Sequence, residues 1–470
     1  MEKLQEAAIK QQMPVPHIKM PEKVEYIIQK LQDNGYEAYI VGGCVRDSIL
    51  GRTPGDWDIT TSAKPHQVKE VFHRTVDTGI EHGTVTVMLD KEGFEVTTYR
   101  IDGEYEDSRH PKSVEFTASL REDLARRDFT INAMAYNPLS GLVDLYEGLE
   151  DLKQKRIRCV GCAGQRFDED ALRILRAVRF GAQLGFDIEP ATARAIREKA
   201  PLLKNISAER IRTELVKLLV SPCPEMIHTA FELGITSVIL PEYDAIVGVR
   251  QNTPNHIYTV DVHTLKALQS IEPREDLRLT MLFHDFGKPA VKKTIDGRDI
   301  FYRHPEVSAM LAKDILKRLK FDNYTADRVI RLVKWHGLKY DATPVHVRRA
   351  LNRVGDDLFE DFIRVQRADV MAKSPSVIGR KLELLDQKES IYHQVIAAGE
   401  CYCVKMLAIG GRELIAAGIA PGPLLGAVLE RLTERVIDQP ELNTPQTLVA
   451  LALEEKDSPD IFEKKKDFFD

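Results

Sequence analysis

A change of period along the chain constrains the fold more than any other feature. From Tyr36 to about residue 145, apolar residues come in short runs, "YEAYIVGG", "WDITTSA" and "TVTVMLDKEGFEVTTYR". These are the patterns of strands that end in glycines or turns. Beyond about residue 165, in "RFDEDALRILRAVRFGAQLGF", "ERIRTELVKLLV", "PREDLRLTMLFHDFG" and "EVSAMLAKDILKRLKF", they recur three and four apart. That is the spacing of helices with one buried face, and strand signals almost vanish. The expected fold class is therefore α+β, with one small mixed sheet near the N-terminus followed by an all-helical remainder. "EKVEYIIQKLQDNG" reads as a helix ended by Gly35, Trp57 to Ala63 as a strand, and Lys91 to Gly93 as a hairpin turn.

The chain has 470 residues, enough for about two to four domains. A net charge of −6 speaks against a wholesale nucleic-acid coat but not against local basic grooves. The N-terminal stretch has no apolar core, so no export signal is expected, and no apolar run is long enough to cross a membrane. The six cysteines read as reduced thiols of a cytoplasmic protein. Cys159-x-x-Cys162 and Cys401-x-Cys403 could in principle make a four-thiolate zinc site, but neither pair has knuckle-like flanks.

The chemistry begins at "GGCVRDSILGRTPGDWDITTSA". On a strand, Asp56 and Asp58 project to one side, and two such carboxylates repel unless a cation lies between them. A pair of Mg²⁺ ions fits, because hard cations take oxygen ligands and bridge carboxylates to phosphates. Gly42 and Gly43 let backbone N–H groups approach a phosphate at the start of a helix, and Arg46 lies one turn further on. Glu95 on the second hairpin strand is the right type for a third metal ligand or for a base that takes a hydroxyl proton. The layout suits in-line nucleotidyl transfer.

Together with "RRDFTINAMAYN" (126–137) and "RFDEDALRILRAVRF" (166–180), this stretch strongly resembles the class II tRNA nucleotidyltransferases, the CCA-adding enzymes, which share a polymerase β-like head. The resemblance implies a tRNA 3′ end, CTP and ATP as partners. It implies a leader (1–22), head (23–155), helical neck (156–220), helical body (221–255), HD domain (256–375) and tRNA-binding tail (376–470). By the same resemblance Glu169 to Arg173 is an amino-acid template. Cytosine and adenine both present an amine donor beside a ring-nitrogen acceptor, so a carboxylate next to a guanidinium pairs with them and rejects uracil and guanine. Asp170 and Arg173, three apart on a helix, are expected on one face. Arg176 and Arg179 continue the stripe towards triphosphate or ribose, while Leu172, Leu175 and Val178 face the core. Arg127 matches a nucleotide contact of the family, with Asp128 and Asn132 as its neighbours. The loop 100–116 resembles one needed for addition of the terminal A, although His110 stands where arginine is commoner. Addition of all of CCA or of A alone both stay open.

His263, His284, Asp285, His304, His336 and Asp369 resemble the ligand set of an HD-type metal-dependent phosphohydrolase. They would hold a transition metal, Mn²⁺ or Mg²⁺. Some members of the family that carry this domain hydrolyse 2′,3′-cyclic phosphates or phosphate monoesters, and others keep only the fold. "LAIGGRELIAAGIAPGPLLGAVLERL" reads as helix, turn, helix, with the second N-terminus at Gly422 facing a tRNA phosphate. Two rival functions remain: a bacterial poly(A) polymerase, which shares head and neck, and a nucleotide-signalling regulator dominated by its HD domain. A regulator has no use for a C/A-selecting pair, and the complete HD set favours the tRNA enzyme over the polymerase. The oligomeric state is left open.

Overall fold

The computed structural model describes residues 17–102, 114–253, 257–458 and 461–462. Most of the leader and the middle of the 100–116 loop, with His110, lie outside them. Two compact units make up the chain, Met1–Pro241 and Glu242–Asp470.

In the first unit, helix α1 (Glu22–Asp33) buries Val24, Ile27, Ile28 and Leu31, a three- and four-spaced stripe. Each such side chain contributes about 1.5–3 kcal/mol. Its chain then reverses through Gly35, at φ 84°, into the sheet. Strands β1 (Ala38–Val41), β2 (Ile59–Thr61), β3 (Thr75–Gly79), β4 (Thr84–Leu89), β5 (Glu92–Thr98), β6 (Met134–Asn137) and β7 (Gly141–Asp144) lie in the order β3-β4-β5-β2-β1-β6-β7. Only β2 and β5 run parallel, Ile59 level with Val96; every other neighbouring pair is antiparallel. This is the mixed sheet expected, with two adjustments. The β4–β5 turn is Asp90-Lys91, both at positive φ, and Gly93 lies within β5 opposite Met88. Two left-handed residues match the twist of a tight hairpin. Strand β2 starts at Ile59, so Trp57 and Asp58 precede it, although the Asp58 carbonyl still accepts from the Val41 N–H at 3.0 Å.

Beyond the sheet, α2 (Gly43–Ile49), α3 (Ala163–Glu169), α4 (Leu172–Leu184) and α5 (Ala208–Leu219) carry the residues that matter below. Leu172, Leu175 and Val178 are buried, as their spacing required. The later two thirds are not wholly helical. Arg156–Ile157 pairs with Asp187–Ile188, and Lys293–Ile295 forms a hairpin with Arg298–Ile300. Such two- and three-residue strands are too short to leave a period in sequence. The Cys223 N–H bonds the Ala182 carbonyl, and Ile227 and Ala230 are buried.

Phe180 ties the neck to the head. Its buried ring meets Phe129 edge-on at 5.8 Å and carries the guanidinium of Arg179 at 3.5 Å, with those of Arg46 and Arg176 at 5.1 and 5.3 Å. Replacing Phe180 by Ala should destabilise the first unit by about 3–5 kcal/mol. Chemical denaturation followed by tryptophan fluorescence would show an earlier transition.

In the second unit, helices α6 (Val260–Gln269), α7 (Glu275–Phe283), α8 (His304–Arg318), α9 (Asn323–Trp335), α10 (Asp356–Met371) and α11 (Pro375–Ala397) surround a core that includes Leu279, Leu282, Phe283, Leu332 and Phe362. Further on, Gly411–Ala416 and Pro423–Asp438 form the helix-turn-helix expected around Gly422. Among the described residues no helix is long and apolar enough to cross a membrane.

Candidate functional site

The first site lies where β1 ends and β2 begins, beside the middle of β5. Gly42 has φ 81°, a conformation that costs a side-chain-bearing residue strain. A Cβ there would stand 3.1 Å from Arg127 Nη1 and 3.9 Å from Asp58 Oδ2. Asp58, Gly42 and Arg127 therefore converge, at a cleft of about 200 Å³ lined also by Thr84, Thr97, Arg100 and Arg126. Extending the parallel β2–β5 register by one pair sets Glu95 level with Asp58, on the same face. The Asp58 carboxyl is raised above its ordinary pKa: the concave wall desolvates its charge, Arg127 opposes the shift, and Asp56 adds to it. An exposed carboxylate whose charge is disfavoured by a neighbouring carboxylate is the donor set that a hard divalent cation satisfies.

Arg46 does not reach into the cleft as an unattached cation. Its guanidinium is buried, bonded twice to Asp47 at 2.9 Å and once to Asn132 Oδ1 at 2.7 Å. Asn132 donates in turn to Asp128, which also accepts from Arg176 and from the Phe129 N–H. Arg176 and Arg179 are likewise held, Arg179 by Glu214 at 2.8 Å and Gln183 at 2.9 Å. Each guanidinium of the expected stripe thus meets a carboxylate or amide on a neighbouring segment, with Arg46 and Arg179 buried and Arg176 part-exposed.

The template pair is arranged differently from a single helical face. Asp170 ends α3 in an extended conformation, and its carboxylate accepts from the Leu172 N–H at 3.0 Å, where α4 starts. Aspartate competes with the helix by bonding its own backbone, so the helix breaks there. Arg210 on α5 binds the same carboxylate at 2.8 and 3.3 Å. Arg173 faces Glu169 and the carbonyls of Arg166 and Arg126, the last two at 3.1 and 3.0 Å.

Sequence reasoning passed over Arg210 and also Asp123. Asp123 is fully buried beneath the cleft, paired with Arg126 at 2.7 Å and Arg127 at 3.4 Å, and accepts from Thr60 at 3.2 Å. Burial works to raise its pKa, but the two arginines hold it below the ordinary value. The signal was the three- and four-residue spacing in "DLARR".

Asp128 gives this network a pH dependence. Burial alone would raise its pKa, but Arg176 and Asn132 bring it down to about 2. A depressed pKa contributes stability above the unfolded value of about 4 that is lost as pH falls towards 2, here about 2–3 kcal/mol. Asp128→Asn should lower the melting temperature at pH 7, and the gap from the unmodified protein should narrow between pH 4 and pH 2.

The second site brings all six expected ligands together. His263 lies on α6, His284 and Asp285 follow α7, His304 opens α8, His336 follows α9, and Asp369 is in the last turn of α10. His263 Nε2 lies 3.0 Å from Asp369 and 3.6 Å from Asp285, and His284 Nε2 is 3.2 Å from Asp285. On the other carboxylate oxygen, Asp285 meets His304 at 3.4 Å and His336 at 3.8 Å. All four Nδ1 atoms donate to backbone carbonyls, of Ala372, Met281, Phe301 and Val333, at 2.7–3.0 Å. In the neutral rings every Nε2 lone pair is then turned inward.

The Nε2 atoms of His304 and His336 are 3.3 Å apart, so in the neutral rings two lone pairs face each other, an arrangement a bound cation would relieve. The buried Nε2 of His284 has no hydrogen-bond partner. Burial, followed by His284 and His304, pushes His336 down to about 3, so it is neutral and ready to ligate. This donor set fits a divalent metal, with carbonyls orienting the rings. Lys288, buried at 2.6 Å from both Asp285 and Gln251, sets a positive charge beside this donor set.

A Cβ on Gly287 would stand 2.6 Å from the His304 carbonyl and from the Ser308 N–H, so only glycine lets α8 dock there. Gly287→Ala should weaken metal binding by about 10–100-fold, read by calorimetric titration, with the first unit's activity kept.

Residues 38–158 match the poly A polymerase head domain, 185–247 the probable RNA and SrmB-binding site of polymerase A, and 255–378 the HD domain. The chain is 37% identical over 438 residues to a CCA-adding enzyme of Levilactobacillus brevis, covering 92% of this chain and 98% of that one. It is 48% identical over 317 residues to one of Streptococcus pyogenes, covering 62% and 77%. The crystal structure of the Bacillus stearothermophilus CCA-adding enzyme in complex with CTP superposes with a TM-score of 0.69 at 28% identity, covering 93% and 98%. With a cleft at Asp58 in the first unit, an HD centre in the second and relatives alike over nearly their whole length, the chain belongs to the CCA-adding enzymes, a family of nucleotidyltransferases.

Proposed function

We propose that this chain adds C, C and A to tRNA 3′ ends from CTP and ATP in the cytoplasm. The observation that carries the reading is the convergence of Asp58, Gly42 and Arg127 on one cleft, with Glu95 level with Asp58. Asp56 and Asp58 would hold two Mg²⁺ ions, which when bound neutralise triphosphate charge and lower the pKa of the attacking 3′-hydroxyl. Glu95 holds that hydroxyl or takes its proton. Gly42 and Gly43 let backbone N–H groups reach the triphosphate, and Arg127, steadied by Asp123, contacts the nucleotide. Arg46, Arg176 and Arg179 act by holding Asn132, Asp128 and Phe180 in place.

Asp170 and Arg173 select the base. Their present partners, Arg210 and Glu169, are exchanged for the amine and ring nitrogen of C or A, whereas U and G offer the reverse pattern. The near-full-length likeness to CCA-adding enzymes favours this reading over poly(A) polymerase and over a signalling regulator.

The HD centre we read as a metal-dependent phosphohydrolase for 2′,3′-cyclic or monoester phosphates at damaged RNA ends. The inward Nε2 atoms of His304 and His336 support it. The tail around Gly422 is read as a tRNA-docking element.

The deciding assay is incubation with Mg²⁺, labelled CTP or ATP, and tRNAs that end before CCA, after C or after CC. Extension of all three to CCA is expected; extension of the CC-ending tRNA alone would make this an A-adding enzyme. Asp58→Ala should abolish addition, a fall of about 10³-fold or more with the circular dichroism unchanged. Retained activity would remove Asp58 from the metal site.

A further inference from the structure

Strands β4 and β5 sort their side chains by face. Val85, Val87 and Val96 are buried in the core on one side. On the other, Thr84 lies opposite Thr97 and Thr86 opposite Glu95. The parallel neighbour β2 sets Thr60 level with Thr97, one pair beyond Val96 and Ile59. Glu95 therefore stands on a face of hydroxyls.

Three of these hydroxyls are engaged away from the cleft. Thr60 is directed at Asp123 and at the Thr97 carbonyl, each at 3.2 Å. Thr86 bonds Thr78, on the exposed strand β3, at 2.8 Å. Thr84 and Thr97 differ. Both are half-buried, and among the described residues their hydroxyls bond only each other, at 3.0 Å. A cross-strand threonine pair can stabilise a sheet by itself. This one is also part of the cleft wall, together with Asp58 and Arg127. Two hydroxyls that share one bond keep one O–H and several lone pairs to offer a ligand.

Placement on the sheet says which ligand group they meet. The nucleotide is approached from beyond β2, where Gly42 follows β1, whereas Thr84 and Thr97 lie on the β5 side with Glu95. Thr97 projects from the same face as Glu95, two residues and about 7 Å further along the strand. A ribose whose 3′-hydroxyl is held at Glu95 carries its 2′-hydroxyl on the adjacent carbon.

We propose that Thr84 and Thr97 bind the 2′-hydroxyl of the terminal ribose of the tRNA and so make the cleft select an RNA end over a deoxyribose end. The 2′-hydroxyl donates to one threonine oxygen and accepts from the other's free O–H, a pairing that a 2′-hydrogen cannot make. This deepens the transfer reading above and rests on it.

The full chain is assayed with Mg²⁺, ATP and two tRNAs ending in CC, one with an ordinary terminal ribose and one with 2′-deoxyribose there. Both serve whether the chain adds all of CCA or A alone. The unmodified chain should use the ribose end at least about tenfold better in kcat/KM, as expected for one hydrogen bond. Thr84→Val/Thr97→Val keeps the branched shape of both side chains and should bring that ratio close to one by lowering use of the ribose end. Thr97→Val alone is read in the same way should the double variant not fold. Thr84→Ser/Thr97→Ser, which retains the hydroxyls, should keep the ratio of the unmodified chain. An equal ratio in the unmodified and valine chains, no preference in the unmodified chain, or a preference lost in the serine chain as well overturns the proposal while sparing the transfer reading. So does a change confined to the preference for ATP over dATP, which would put the two hydroxyls at the incoming nucleotide. No addition by the unmodified chain to either tRNA overturns both.

Discussion

The buried carboxylate of Asp128 is the constraint on which the first unit depends. It accepts from Arg176, Asn132 and the Phe129 N–H at once. Through Asn132 it reaches Arg46 on α2, and through Arg176 it reaches the neck helix that carries Phe180. A charge this buried is tolerable only when fully partnered, and satisfying it forces strand ends, α2 and α4 into one arrangement. The cleft above inherits its rigidity from that arrangement. Asp123 does the same beneath Arg127. Arg46, Arg176 and Arg179 are tied into this framework, and Arg127 stands against Asp58 at Gly42.

The two sites treat charge differently. In the cleft, carboxylates are set against one another and left open, so their repulsion is a capacity to bind cations. In the HD centre, buried imidazoles and carboxylates already offset one another, with Lys288 filling part of the role of a positive ion at Asp285.

Motif order made the sheet legible, and the resemblance picked out six residues, His263, His284, Asp285, His304, His336 and Asp369, that the structure brings together. What remained hidden depends on partners distant in sequence. Nothing near Asp170 announces Arg210, forty residues on, or the helix break that separates Asp170 from Arg173. Helical spacing showed that Arg176 and Arg179 share a stripe with one another; it could not show that Asp128 and Glu214 would meet them. Strands of two or three residues, such as Arg156–Ile157, and the shift of the hairpin turn to Asp90-Lys91, fall below the length at which period carries information.

Three of the four HD imidazoles donate Nδ1–H to the carbonyl three residues earlier: His284 to Met281, His304 to Phe301 and His336 to Val333. The partner that sorts each ring's nitrogens therefore comes from its own stretch of chain, before any distant segment arrives. Exchange of one ion for another leaves those bonds untouched. Choice among metals at this centre then rests on the spacing that the helices impose, with no rearrangement of ring protons needed to admit any of them.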